Sequence, residues 1–296
     1  MTITEEERRA LDDREHATWT AAAPGWRKHE ARLAASLRPV TERMLAAAAI
    51  GAGMRVLDIA TGTGEPALAA AEQVGPRGYV LGTDFVEAML AAARTQAARR
   101  GLAHVELRRV DGAELEARPR SFDAVLIRFG IMFMADPAAC LHRARGALRP
   151  GGRIAVASWA APAANPWLAV VASAIARHAG AGAGGVGAPL AGERAGGPGP
   201  FAFAEPERLR GALAAAGFAD AVVEEIPLVP AGELADARAH AAFVFDLFPA
   251  LGRLHAGLDP SARSRVDGEI ARETERHRRG GRVALGGLAL LAHGVR

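Results

Sequence analysis

Three acids stand where a parallel sheet could gather them into one site. Asp58 lies in the run VLDIATGTG (residues 56–64), just ahead of a glycine turn. Asp84 follows twenty residues beyond Gly64, and Asp111 opens an Asp111-Gly112 pair. Without a Cβ, Gly62 and Gly64 let the backbone pass close to a ligand. A helix starting there offers free N–H groups and the positive end of its dipole. An acid at the end of the next strand can accept hydrogen bonds from both hydroxyls of a ribose. So far the pattern reads only as a nucleotide site. The charges around the turn narrow it. A pyrophosphate needs that turn clear of negative charge, yet Asp58 precedes it and Glu65 follows Gly64 directly. Those acids suit the ammonium end of a methionine moiety and oppose a phosphate. Asp111, just after a third strand, is placed to accept from an adenine amine, with the Gly112 backbone open to the ring.

Strands and helices in alternation must position these groups. Residues 1–50 read as helical, with Leu33, Leu37, Val40, Met44 and Leu45 near helical spacing. Residues 54–60 are a short apolar run, the profile of a buried parallel strand. Residues 65–74 read as a helix stopped by Gly75-Pro76, 79–83 as a second strand, and 86–100 as a helix ended at Gly101. Residues 104–110 make a third strand and 122–127 a fourth. Asp136 caps a helix over 137–148 with Pro137 at its first position. A tight turn at 149–152 leads to a fifth strand over 153–158. This rhythm predicts βαβ units and a parallel sheet. Residues 179–200 are rich in glycine and proline, too long for an ordinary connection, and read as a flexible lid or linker. Beyond them come a helix at 206–216, a strand at 220–226, helices over 232–279, and a closing apolar strand at 283–291.

The ordered motifs VLDIATGTG (56–64), GTDFVEAML (82–90), VDGAEL (110–115), SFDAVLIRFGIMFMADP (121–137) and LRPGGRIAVASW (148–159) resemble those of class I S-adenosylmethionine-dependent methyltransferases. The branch they resemble is the small-molecule type of ubiquinone and menaquinone biosynthesis, and residues 199–227 resemble its later part. The resemblance implies an α/β, Rossmann-like sheet of seven strands, mostly parallel with one antiparallel strand. Helices would cover both faces, with a helical cap or insertion. It implies three segments: an N-terminal helical segment at 1–50 covering the cofactor, a binding core at 51–160, and substrate-cap elements with the last strands at 161–296. It places Ala60, Thr61, Gly62 and Gly64 at the backbone of S-adenosyl-L-methionine, with Asp58 near its amino end. Asp84 falls to the ribose, Phe85 and Met89 lie against the adenosine, and Asp111, Gly112 and Ala113 surround the adenine. Arg128 and Phe129 would line the methionine end. Met132, Phe133 and Met134 read as packing.

Methyl transfer from a sulfonium asks the protein chiefly for alignment and exclusion of water. A base is needed only for a protonated acceptor. His29, near Trp19 and Trp26, and His240, ahead of Phe243, Phe245 and Phe248, are the catalytic candidates among nine histidines. Cys140 is the only cysteine, so no disulfide framework, cysteine metal site or thiol nucleophile is expected. Where a base-methylating enzyme often shows an Asn/Asp-Pro-Pro-aromatic run, residues 128–131 read RFGI. The net charge is only +3 despite a pI near 9.9, a weak argument for a polyanionic partner. Acids alternate with the arginines of 272–282, so that stretch reads as an exposed salt-paired helix rather than an RNA surface. Residues 1–15 do not look like a secretory signal, and no apolar run reaches ~18–20 residues. The expectation is a cytoplasmic enzyme, monomer or homodimer, that methylates oxygen or carbon of a hydrophobic small molecule, in the manner of secondary-metabolite tailoring. Two other readings use the same pocket: cofactor binding without transfer, as in a cyclase or pericyclic catalyst, and a nicotinamide-dependent oxidoreductase.

Overall fold

The computed structural model describes residues 4–178 and 197–296. The 179–200 segment expected to be flexible therefore lies almost wholly outside the described residues. The N-terminal region is helical as expected but is broken into three pieces, α1 (Glu5–Lys28), α2 (Glu30–Ser36) and α3 (Arg38–Ala47). The breaks fall at His29 and Leu37, whose ψ angles of 12° and 0° leave the helical range. Thr4 and Glu7 close a capping box that fixes the start of α1.

Seven strands then form one sheet in the order β3-β2-β1-β4-β5-β9-β6. They are β1 (Arg55–Ile59), β2 (Tyr79–Asp84), β3 (Val105–Arg109), β4 (Phe122–Arg128), β5 (Leu148–Trp159), β6 (Ala219–Leu228) and β9 (Gly287–Val295). Only β9 is reversed, antiparallel to both β5 and β6. The central strands are buried on both faces, as Val56, Leu57, Asp58 and Ile59 all show. Such strands need helices above and below. These are α4 (Ala67–Val74), α5 (Glu87–Arg99), α6 (Pro137–Ala147), α7 (Pro166–His178) and α8 (Pro206–Ala215). A cap follows of α9 (Ala237–Leu247), α10 (Pro249–Gly257) and α11 (Pro260–Glu275). Asp136 caps α6 by accepting from Ala139 N at 2.8 Å.

Most boundaries agree within a residue or two, and four differences from the sequence reading bear on the architecture. Helix α4 starts at Ala67 rather than 65, because Pro66 occupies its N-cap. The turn at 149–152 does not separate two elements. It is a bulge inside β5, where the register jumps from Phe122↔Leu148 to Ala124↔Arg153. The end of the expected helical region holds a short hairpin, β7 (Arg278–Arg279) and β8 (Arg282–Val283), turned by Gly280 and Gly281 at φ 54° and 81°. The closing strand lies four residues later than expected. Its polar end was hidden in the sequence because His293 pairs with Glu224 across the sheet at 2.9 Å.

The strand order places the site. Chain direction across the sheet reverses between β1 and β4, and ligands of open α/β sheets lie beyond the carboxyl ends of the strands at that reversal.

Candidate functional site

A cavity of about 910 Å³, its open mouth included, lies at that reversal. The segments after β1, β2, β3 and β4 each supply part of its wall. Ala60, Thr61, Gly62, Thr63 and Glu65 come from the first, and Asp84 with Phe85 and Met89 from the second. Val110, Asp111 and Gly112 come from the third, and Arg128, Phe129 and Gly130 from the fourth. Ten of the expected binding positions thus meet in one space: Ala60, Thr61, Gly62, Asp84, Phe85, Met89, Asp111, Gly112, Arg128 and Phe129.

Backbone strain marks the two loops that face each other there. Ala60 and Phe129 both adopt positive φ, 58° and 57°, a region that side chains other than glycine rarely enter. Such residues persist where surrounding structure holds them, often at functional sites. Gly130 permits their close approach, since a Cβ on it would stand 2.4 Å from Ala60 Cβ. Behind Phe129 the ring of Trp159 stacks at 4.1 Å and 10°, and Trp167 continues the pillar at 5.1 Å.

The carboxylates are held in different ways. Asp84 accepts from Gly62 N and Val86 N, both at 2.9 Å, so it pins the glycine turn to the end of β2 and also starts α5. Burial pushes its carboxyl up to about 6 against those donors. Asp111 accepts from Ala113 N at 2.7 Å, and burial raises it too. Glu65 pairs with Arg100 at 2.8 Å.

Three expected site residues stand outside the cavity wall. Asp58 is wholly buried behind Thr61. Its Oδ2 accepts from Ala67 N at 3.1 Å, and burial pushes it up to about 7 against the Thr61 hydroxyl, Arg128 and that backbone donor. Gly64 is a packing position, because a Cβ would meet Leu68 Cδ1 at 2.8 Å. The N–H of Ala113 is already spent on Asp111.

The two histidines do not reach the cavity. His240 is 1% exposed and donates from Nε2 to Trp167 O at 2.7 Å, tying α9 to α7. Burial depresses it to about 4, so it is neutral and structural. His29 sits at the α1–α2 junction, with Nε2 2.8 Å from Asp246 and its ring 4.9 Å from Phe243. It fastens α1 to α9. Of the expected packing trio, Met132 is buried in the core, whereas Phe133 and Met134 face the cavity. Cys140 is buried in α6, as far from nucleophilic use as its position suggested.

Sequence reasoning missed the contribution of α1. Asp12, Glu15, Trp19 and Trp26 all line the cavity, at spacings of three, four and seven residues that keep them on one helix face. That spacing was readable, but the polar helix offered no apolar stripe to draw attention to it. Trp19 meets Phe133 edge-on at 4.8 Å and Trp26 at 5.6 Å. Burial pushes Glu15 up to about 7, although Arg14 and Trp19 pull it down. Burial and the nearby Asp111 raise Asp12, with Arg8 opposing. Among the described residues Arg128 is the one basic side chain on the wall, against Asp12, Glu15, Glu65, Asp84 and Asp111. It donates to Thr41 Oγ1 of α3 at 2.7 Å; burial depresses it, and Glu65 and Asp58 push back. Thr61 is 1% exposed, and its hydroxyl hydrogen-bonds to the buried Asp58 carboxyl and favours its charged form.

Sheet order, strand direction and a cavity beyond the first four strands define the class I methyltransferase fold. Residues 50–179, a little under half of the chain, match the family model described as a methyltransferase domain. The chain is 39% identical over 117 residues to nocamycin O-methyltransferase of Saccharothrix syringae, covering 40% of this chain and 42% of that protein. It is 36% identical over 118 residues to a demethylmenaquinone methyltransferase of Listeria monocytogenes, covering 40% and 50%. The matched stretch thus spans half or less of these relatives' length. In fold it is similar to Haemonchus contortus phosphoethanolamine N-methyltransferase 2, solved with phosphomonomethylethanolamine and S-adenosylhomocysteine. The TM-score is 0.51 at 20% identity, over 86% of this chain and 52% of that one.

Proposed function

We propose that the chain is an S-adenosylmethionine-dependent methyltransferase acting on oxygen or carbon of a hydrophobic small molecule. The carrying observation is the charge of the cavity: among the described residues, five carboxylates and one guanidinium at the switch point of the sheet. That field attracts a cationic adenosyl ligand and repels a pyrophosphate. The fit extends to Thr61, which lines the wall with its hydroxyl on the buried Asp58 carboxyl, so that the charge of Asp58 reaches the cavity through it.

On this reading Asp84 receives the ribose hydroxyls with the lone pairs that Gly62 and Val86 leave free. Asp111 faces the adenine amine beside Val110 and Gly112, while Phe85 and Met89 form the apolar wall of the adenosine. Thr61 takes the amino end of the ligand, with Asp58 behind it supplying negative charge rather than contact. Arg128 takes the carboxylate end. When bound, the donor supplies an electrophilic methyl group on a sulfonium. The protein supplies alignment and a dry pocket, effects that can reach ~7–11 kcal/mol in barrier reduction. Trp19, Trp26, Phe133 and Met134 form the apolar side, suited to a flat, unsaturated acceptor that packs against ring edges. Nocamycin and demethylmenaquinone, named for the relatives above, place such acceptors among the first to try. No described histidine lines the cavity. Among the described residues, none of the helices is long and apolar enough to cross a membrane. A cytoplasmic site of action, as monomer or homodimer, completes the proposal.

The test is incubation with methyl-labelled donor and a panel of phenols, enols and quinols. Label recovered in an acceptor supports the reading. An acceptor converted without label points to a cofactor-binding protein of other chemistry. Thermal stabilisation by a nicotinamide dinucleotide, and none by the adenosyl donor, would overturn it.

A further inference from the structure

Arg128 ends β4 on the cavity wall, where Glu65 and Asp58 act on it by charge. Among the described residues, neither acid forms an ion pair with it. Glu65 is taken by Arg100 at 2.8 Å, and Asp58 by the Thr61 hydroxyl and Ala67 N. The one hydrogen bond that Arg128 makes among those residues runs to a neutral group, Thr41 Oγ1 of α3, at 2.7 Å. A guanidinium carries five N–H donors in a rigid fork. A carboxylate partner would neutralise that fork and fill it. A hydroxyl holds one arm and leaves the charge and the other arms to the cavity.

Thr41 is itself held in place. It is buried, and its hydroxyl hydrogen goes to Leu37 O, four residues back, at 3.4 Å. That direction of donation leaves the hydroxyl oxygen to accept from Arg128. Leu37 is the break between α2 and α3 and also stands on the cavity wall. Val40 and Met44 bury α3 in the core, and Arg43 grips Glu224 of β6 with two bonds of 2.7 and 2.6 Å. The acceptor for Arg128 is thus carried by a helix fixed at both the core and the sheet. Valine would fill the same buried volume; what the hydroxyl adds is its hold on Arg128.

The geometry points to Thr41 as a positioning residue for the donor: through its hydroxyl it aims the Arg128 guanidinium at the carboxylate of the ligand's amino-acid end. This inference rests on the functional reading above, in which Arg128 takes that carboxylate. Thr41 stands behind the wall and acts only through Arg128. Its effect should therefore appear only with ligands that carry the carboxylate.

Isothermal titration of the whole chain with S-adenosylhomocysteine and with decarboxylated S-adenosylhomocysteine, which lacks that one group, tests this. The wild type should bind the intact ligand roughly tenfold more tightly, or better. Thr41→Val should weaken the intact ligand roughly five- to tenfold. The decarboxylated ligand should hold within about twofold. Thr41→Ser restores the hydroxyl and should stay within about twofold of the wild type for both. An equal loss for both ligands in Thr41→Val, or no loss for either, overturns the proposal and leaves the functional reading intact. So does a Thr41→Ser variant that loses as much as Thr41→Val. If Thr41→Val does not fold, Thr41→Ala takes its place; if neither folds, the hydroxyl serves stability and the proposal falls. Equal wild-type affinity for the two ligands also overturns it, while binding of the adenosyl group stands. Failure of folded wild type to bind either ligand refutes the functional reading, and this proposal with it.

Discussion

Asp58→Asn should make the empty protein more stable above neutral pH and at the same time a poorer binder of the donor. Asp58 is fully buried, and burial lifts its carboxyl from an ordinary 3.8 to about 7 although the Thr61 hydroxyl opposes it. A carboxyl raised this far on folding carries a penalty of about 4 kcal/mol at most once it ionises. The sign follows from the direction. Because the folded value lies above the unfolded one, the stability is complete below about 4 and is lost as pH rises through about 7. Asparagine keeps the oxygen that accepts from Ala67 N and offers its amide to the Thr61 hydroxyl that bonds the carboxyl in the wild type. It should therefore match the wild type near pH 5 and exceed it near pH 8. The gain in melting temperature should be on the order of 10 °C at the upper limit. Donor affinity should fall roughly tenfold or more at pH 8, where the wild type is charged. Thermal scans of the ligand-free protein from pH 5 to 9, paired with titrations of the donor, read both effects. If the variant is less stable by the same amount at every pH, Asp58 is an ionised structural anchor and the burial argument is wrong.

Other consequences follow from the same geometry. Donor affinity should fall as pH drops through about 7 to 6, because a bound cation favours ionised Glu15 and Asp84, which burial holds at about 7 and about 6. Protons released on binding, read as buffer-dependent heats, check the sign. Gly130→Ala should cost about 1–3 kcal/mol of stability and weaken donor binding, since its methyl group collides with Ala60; an unchanged denaturation midpoint would contradict the packing of the two strained loops. His240→Ala should lose about 1–3 kcal/mol by leaving the Trp167 carbonyl unpaired and a void between α7 and α9, with kcat unaltered. A specific loss of kcat would return His240 to the chemistry. Trp19→Ala should raise the KM for the acceptor more than the Kd for the donor, because the indole packs on Phe133 at the apolar side.

The sheet could be read from sequence because its strands are short apolar runs ended by glycine turns, and burial on both faces leaves little else to confuse them. The acids at 84 and 111 were readable for the same reason, since each follows a strand whose end is plain. Asp58 was readable as an acid but not as a hidden one, because whether a strand residue faces the cavity or lies behind the turn depends on α4 packing over it. Ala60 and Phe129 gave no local sign of their left-handed backbone, which neighbouring loops impose and Gly130 permits. His240 looked reactive beside its aromatics, yet those aromatics are the core that neutralises it. Asp12 and Glu15 were passed over because a polar helix face reads as solvated until a fold lays it across a cavity. The β9 boundary slipped because Val283 belongs to a bridge with Leu234 and the strand starts only at Gly287.

A structure of the chain crystallised with S-adenosylhomocysteine tests the central claim most directly. The account predicts adenine density against Val110, Asp111 and Gly112, the ribose hydroxyls on Asp84, and the amino-acid end between Thr61 and Arg128. Density for that ligand elsewhere, or an empty cavity at saturating ligand, would contradict it.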